Sequence, residues 1–409
     1  MRLLFIGHYF QPEPNFFYGL PFAKELVRRG HEVQVITGFP NYPGGKIYAG
    51  YKIKPLQKEV MDGVPVYRFP LYPSHDSSAF GRMLCYSSLA LSQGLMAPFV
   101  IKPADVAYVD QGPATMGFPA TILKWLRRIP FVLIVQDLWP DSVTSSGMFE
   151  SKIGEKILHG WSNFVHRRAS KLVIIAPGMK KVLMERGVPE EKIELIYNWC
   201  DNSLISRVGP DKNLIDQLGF TGKFNVVYGG NMGKAQSLGA VIEAASLLQN
   251  DYPLIQFVFI GSGVDVEYLK SMVANKKLTN VLFLPHKPVS QIGPILRQAD
   301  VLLVHLRKDP LFAITIPSKT QAYLALGKPV LIAVEGDAAD LVTKAEAGFA
   351  CNPEDPKMLA QTVIRFYQMS PQQREQMGKN GAVFYDKELA FNVAVDKYLN
   401  VFQSVAGHK

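Results

Sequence analysis

Cysteine is scarce in this chain of 409 residues: Cys85, Cys200 and Cys351 stand far apart, with no CxxC pair. Three separated thiols exclude a disulfide framework and favour a reducing compartment. The eight histidines form no HExxH or HxxxH pair, and no DxD occurs anywhere, so the chain has no obvious carboxylate clip for a metal-bound diphosphate. No apolar run reaches the ~18 residues expected of a membrane-spanning helix. The opening MRLLFIG is too short for the apolar core of a secretory leader and is followed at once by His8 and Gln11, so it reads as a strand. Short-period repeats and low-complexity tracts are also lacking, which argues against a solenoid or a disordered tail.

Other motifs fail by spelling. GGNMGK at 229–234 is one residue short of a phosphate loop of the P-loop type, and Ala235 stands where Ser or Thr would hold magnesium. Gly261-Ser-Gly263 begins like a dinucleotide fingerprint but lacks its third glycine. There is no GxSxG elbow.

What is present is a globular composition, 48% hydrophobic and 19% charged, at a length that accommodates two or three domains. The chain makes the same statement twice. Arg2–Gly7 reads as a buried strand entering a loop and a helix. Phe224–Gly230 does so again, followed by NMGKAQ and a helical stretch over 237–249. In the first half, strands are expected at 2–7, 32–37, 64–69, 105–109, 131–136, 172–176 and 193–197. In the second half they are expected near 224–228, 255–260, 281–284, 301–304 and 330–333. Helical segments lie between them, which is the pattern of parallel sheets covered on both faces. The expected fold is α/β, two Rossmann-like doubly wound domains facing across a cleft. The first covers residues 1–200 and the second 201–388, with a weakly periodic linker near 198–223. A last helix, within 389–409, is expected to return to the first domain.

Charge is uneven. Residues 1–200 carry 23 Lys+Arg against 16 Asp+Glu, and the remaining 209 carry 21 against 19. A basic surplus in one half suggests an anionic partner there, and an anionic membrane surface or phosphorylated lipid suits it better than nucleic acid, for which no motif is present. A solvated basic surface is the plainer alternative. The segment 82–101, RMLCYSSLALSQGLMAPFVI, is apolar around its whole circumference. It reads either as a core helix under the sheet or as a helix that dips into a membrane face.

Three clusters could carry chemistry. In GGNMGKAQ at 229–236, glycines allow close backbone approach, a helix start favours an anion and Lys234 adds a charge; an ordinary turn with a surface lysine is the alternative. At 316–321, IPSKTQ, Pro317 suits a first helical turn, and Ser318 and Lys319 sit at a second helix start. Two such lysine-bearing turns could hold a diphosphate without metal. In QDLWPD at 136–141, Asp137 is expected at a strand's carboxyl end, where it could accept or orient a hydroxyl proton, and Trp139 offers a face to a sugar ring. The alternative puts Trp139 in the core and Asp141 on a helix cap.

At these residues the chain resembles the family-four retaining glycosyltransferases of the GT-B fold, especially a bacterial branch that builds surface polysaccharides. The resemblance runs through LLFIGHYFQPEPN, GHEVQVITGFPNYPGG, QDLWPDS, NWCD, GGNMGKAQSL and IPSKTQAYLALGKPV. It implies transfer of a sugar from a nucleotide-diphosphate donor, most commonly a UDP-sugar, to a hydroxyl of a lipid-linked or polysaccharide acceptor, at the cytoplasmic face of the membrane and with no metal or other cofactor. It implies donor contacts at Gly230, Asn231, Gly233, Lys234, Gly261, His286, Pro317, Ser318, Lys319 and Gln321, the last near the ribose or sugar. Phe10, Asn15, Gly19, Asp137 and Trp139 would border the acceptor, and Asp137, Lys234 and Lys319 would carry catalysis. Three features depart from the wider family: its paired glutamates are replaced by Ile314 and Ala322, the basic pair of its phosphate loop by Asn231 and Gln236, and the histidine often found after the acceptor-side strand by Asp137 and its neighbours. Those losses keep open a non-catalytic nucleotide-sugar-binding subunit, with a nucleotide-sugar epimerase as a further alternative.

Overall fold

The computed structural model describes residues 1–14, 17–74, 79–139, 141, 152–205 and 211–407. The chain forms two units, Met1–Ile196 with Val395–Lys409, and Tyr197–Ala394.

The first unit is built on strands β1 Arg2–Ile6, β2 Glu32–Gly38, β3 Gln57–Met61, β4 Val64–Phe69, β5 Val106–Asp110, β6 Phe131–Val135, β7 Lys171–Ile174 and β8 Ile193–Leu195. They form one sheet in the order β3-β4-β2-β1-β5-β6-β7-β8. Every pairing is parallel except β3 with β4. The interior strands are continuous apolar runs, as required when helices cover both faces: all five residues of β6 are buried. Strand β3 was not foreseen. It is a half-exposed edge strand, joined to β4 by Asp62 and Gly63, both in the left-handed region as a tight hairpin requires.

Three helices of this unit pack side by side: Ala79–Val100, Gly117–Arg127 and Lys152–Arg168. A β-carbon on Gly94 would fall 2.4 Å from the Phe118 ring, so the first two helices meet closely there. From Val395 onward the helix Phe391–Ala406 also belongs to this unit, with Tyr398 fully buried against the rings of Tyr18, Phe22 and Tyr108.

The second unit holds β9 Phe224–Asn231, β10 Ile255–Ser262, β11 Val281–Leu284, β12 Val301–His305, β13 Val330–Ala333 and β14 Gly348–Ala350. Its sheet is wholly parallel, in the order β11-β10-β9-β12-β13-β14. Strand order therefore reverses between β9 and β12. In open sheets of this kind the crevice at the carboxyl ends beside that reversal is where ligands bind. The corresponding reversal in the first unit lies between β1 and β5.

Candidate functional site

In the second unit, β9 runs further than its apolar stretch suggests. Gly229 and Gly230 lie inside the strand, paired with Ile260 and Gly261 of β10. Gly230 and Gly261 both adopt positive φ, and a β-carbon on Gly261 would fall 2.0 Å from the Gly230 carbonyl oxygen. Gly261 is thus required by backbone packing, which zips the two strand ends together. The chain then turns through Gly233 into a single 3₁₀ turn, Lys234–Gln236, before the helix Gly239–Leu248 begins.

This turn is braced from several sides. The Gln236 side chain accepts from the Gly233 amide at 3.0 Å and from the Asn231 amide nitrogen at 3.1 Å. His305, at the end of β12, is fully buried and donates from Nδ1 to the Gln236 carbonyl at 2.7 Å. Its Nε2 then accepts the Glu354 amide at 3.3 Å, which fixes one neutral tautomer, and burial lowers its pKa accordingly. Glu354 completes the ring, accepting from the Ser237 hydroxyl at 2.6 Å and from the Lys308 amide at 2.8 Å. Those bonds hold its carboxyl below the usual range. Sequence reasoning missed His305 and Glu354, since neither lies in a recognisable motif.

Lys319 meets this loop at its start. It follows Pro317 at the head of the helix Ser318–Ala325, whose first turn no side chain caps. Pro317 is the cap residue itself, just outside the helix. The Lys319 amine lies 3.7 Å from the centre of the Tyr228 ring, and a β-carbon on Gly230 would come within 3.3 Å of it. Among the described residues no carboxylate pairs with it. Burial pushes its pKa down to about 7. A half-buried cation, resting on a π-face beside exposed backbone and uncapped helix amides, is arranged to receive an anion. Tyr323 secures the same strand end, exchanging hydrogen bonds with Gly229 at 3.0 and 3.3 Å. Lys234 stands exposed in the 3₁₀ turn, so the two lysines border one loop.

Other expected donor residues sit differently. Gln321 is buried, and its amide donates to the Pro317 carbonyl at 2.8 Å and the Ser318 carbonyl at 3.2 Å once its oxygen and nitrogen are set by those neighbours. It completes the helix start and does not offer itself to a ribose or sugar. Ser318 is exposed at that start. His286 is exposed in the loop after the edge strand β11.

In the first unit, β5 and β6 bring two carboxyls to neighbouring strand ends. Asp110 closes β5 opposite Ile134, with the Gly112 amide donating to its carboxylate at 3.3 Å. Burial, aided by the charge of Asp137, lifts its pKa to about 7. Asp137, two residues beyond β6, keeps an exposed edge, yet the surrounding protein raises its pKa as well. Asp110 was not singled out from the sequence; its position at the end of an apolar strand beside the order reversal was the available signal. Trp139 is buried with Ala114, with Tyr86 and Trp161 packed against them, so it is core and presents no face to a sugar. Asp141 is paired with Arg186 and approached by His159 at 3.6 Å. Phe10 is buried in the core, and Gly19 is the cap of the helix Leu20–Arg28, so neither offers a side-chain contact to an acceptor. Asn15 lies outside the described residues.

The family described as glycosyl transferase 4-like domain matches residues 18–199, and that described as glycosyl transferases group 1 matches residues 211–384. The relatives that extend over most of the chain include two bacterial proteins. A putative colanic acid biosynthesis glycosyl transferase, WcaI of Escherichia coli, is 29% identical over 82% of this chain and 84% of its own length. A probable glycosyltransferase, WbjE of Pseudomonas aeruginosa, is 24% identical over 71% of this chain and 76% of its own. Among solved structures, Anabaena HepE in complex with UDP-glucose superposes with TM-score 0.69 at 17% identity, covering 99% of this chain and 100% of that one. An E. coli trehalose-6-phosphate protein bound with UDP-2-fluoro glucose does so with TM-score 0.71 at 14% identity, covering 98% and 99%.

Proposed function

This chain belongs to the family-four glycosyltransferases of the GT-B fold, relatives of surface-polysaccharide enzymes, and from that premise we propose that it is a retaining enzyme using a UDP-sugar and a lipid-linked or polysaccharide acceptor. The observation that carries the reading is the Lys319 amine, half-buried against Tyr228 beside Gly230 without a carboxylate partner among the described residues. UDP-containing ligands in the HepE structures support the choice of donor.

In this mechanism Lys319 and the head of the helix Ser318–Ala325 neutralise the diphosphate as it departs, and Lys234 closes over it from the 3₁₀ turn. The bond from the anomeric carbon to the donor phosphate oxygen breaks as the sugar gains oxocarbenium character. The acceptor oxygen forms the new bond on the same face, and its proton passes to the leaving phosphate. Fixed positive charge placed where negative charge develops lowers the barrier to this step. Lysines and helix amides take the place of a metal clip, in keeping with a sequence that has no DxD. Asp137 orients the acceptor hydroxyl. The reaction is assigned to the cytoplasmic face of an anionic membrane, with the enzyme peripheral to it.

The test is release of UDP from UDP-sugars by purified protein, with and without a membrane-lipid extract from a polysaccharide-producing bacterium. Acceptor-dependent release is expected, with the anomeric configuration of the donor kept in the product. A second reading, a binding subunit without turnover, draws on Ile314 and Ala322 standing where many relatives place glutamates. Tight UDP binding with no release under any acceptor would favour it.

A further inference from the structure

The helix Ala79–Val100 turns Cys85, Leu89, Gln93 and Ala97 inward. Among its described residues the exposed ones are Phe80, Leu84, Ser87, Leu91, Leu95 and Phe99. The outer face of a surface helix is ordinarily charged. This one shows five large apolar side chains and a hydroxyl along roughly 30 Å of helix. Phe80 is 78% exposed and Phe99 82%.

The neighbouring helices continue the pattern. Gly117–Arg127 exposes Trp125, 76% accessible, and Leu126; Lys152–Arg168 exposes Ile153, Ile157 and Phe164. The rings are continuous from Phe118 through Trp161, 6.5 Å away, to Phe164, 5.7 Å further on. A contiguous apolar face of this extent marks a docking surface.

Its charge identifies the occupant. These three helices carry seven Lys/Arg and one acidic residue, Glu155. The Arg127 guanidinium donates to the Pro98 carbonyl, which sets the basic end of its helix beside Phe99. Next to it, Lys124 and Arg128 line a pocket of about 530 Å³ with Ser170, Ser404 and Lys171, whose own amine is paired with Glu194 at 2.7 Å. The Lys124 amine donates to the Arg168 carbonyl at 2.6 Å, and burial together with Lys192 and Arg168 lowers its pKa. Such a pocket gains by taking an anion. Two copies of the chain meeting through this face would oppose their positive rims, which disfavours a symmetric dimer.

We infer that this three-helix face is a membrane-insertion surface: its apolar ridge enters the headgroup layer of an anionic bilayer, and Lys124, Arg127 and Arg128 bind lipid phosphates at one end of it. The inference rests on the membrane-peripheral reading above but adds burial of side chains in the lipid, where charge attraction alone would leave them in water.

The experiment is flotation of the full chain with vesicles of phosphatidylcholine alone, or with phosphatidylglycerol added, at low and high salt. Binding to the anionic vesicles that partly survives high salt is expected. Leu91→Glu, Leu95→Glu and Phe99→Glu combined should lower the bound fraction about tenfold or more at both salt levels. Lys124→Glu with Arg128→Glu should lower it chiefly at low salt. On vesicle addition the tryptophan emission should shift to the blue, and Trp125→Phe should remove most of that shift. Wild-type protein that stays off anionic vesicles, a triple variant that floats as well as wild type, or self-association through this face without flotation overturns the inference. Calorimetric UDP binding, measured on the same variants, separates this outcome from failure of the glycosyltransferase reading: it should stay unchanged in every surface variant whether or not the face meets lipid.

Discussion

The Lys319 amine rests 3.7 Å from the centre of the Tyr228 ring. A bare π-face compensates a partly desolvated ammonium only in part, and its pKa accordingly falls from the ordinary 10.5 to about 7. Between those values the unfolded chain holds a proton that folded Lys319 does not, so ligand-free stability rises with pH through that window. Below the lower value the cost of burying the charge is fully present. Lys319→Met should therefore melt above wild type near pH 6, with the gap narrowing toward about pH 10. Melting curves of both proteins across that range check it.

The ring around Glu354 predicts a second outcome. Glu354→Gln keeps the shape but replaces charged hydrogen bonds to Ser237 and the Lys308 amide with neutral ones. The expected loss is about 1 kcal/mol near neutral pH. Its sign follows from a carboxyl held below its ordinary value: the contribution is present above the ordinary glutamate pKa and lost as pH falls through the folded one. UDP affinity should fall more than global stability suggests, because the braced element is the loop proposed to hold the donor. Chemical denaturation and UDP titration of the same variant give both numbers.

Gly261→Ala drives a β-carbon into the Gly230 carbonyl and imposes a side chain on a residue with φ of +148°. Destabilisation of roughly 1–3 kcal/mol or more is expected, with loss of UDP binding in whatever folded protein remains. Gly233→Ala, whose nearest neighbours are the flexible ends of Asn231 and Gln236, should be milder. Parallel thermal melts compare the two.

Asp110 and Asp137 should separate by assay. Asp110 is lifted to about 7, so the folded chain holds a proton there that the unfolded chain lacks, and stability falls as pH rises through that window. Asp110→Asn should raise the melting temperature at about pH 8 and leave it unchanged near pH 3.5. Asp137→Asn should reduce kcat about 100-fold or more with little change in UDP affinity, as removal of a proton-orienting group does. Equal losses in affinity and turnover would take Asp137 out of the acceptor site.

Much of this architecture is legible in the chain. Continuous apolar runs such as FVLIV and FNVVY, five residues long and set between helical segments, read as strands covered on both faces, while the order of those strands, and so the reversal beside β9, emerges only from the pairing. The edge strand β3 escaped because Gln57–Met61 is polar and short, although the Asp62-Gly63 pair is a hairpin signal in its own right. Lys319 was readable from its place after Pro317. That its amine would lean on Tyr228 was not, because the contact joins residues ninety-one positions apart. Trp139 and Gln321 looked available from their motifs, and packing took both inward. His305 and Glu354 were invisible for the opposite reason: their role exists only once β12 and the segment after β14 stand beside the 3₁₀ turn.

The account turns on Lys319 receiving the diphosphate, and a bound anion there must restore its proton. Calorimetric titration with UDP at pH 8, repeated in buffers of different ionisation enthalpy, reads that proton directly (the pH is about one unit above the Lys319 value). Uptake of close to one proton per UDP, abolished in Lys319→Met together with most of the affinity, is the expected result. Tight UDP binding with no proton uptake, unchanged in the variant, would contradict the site.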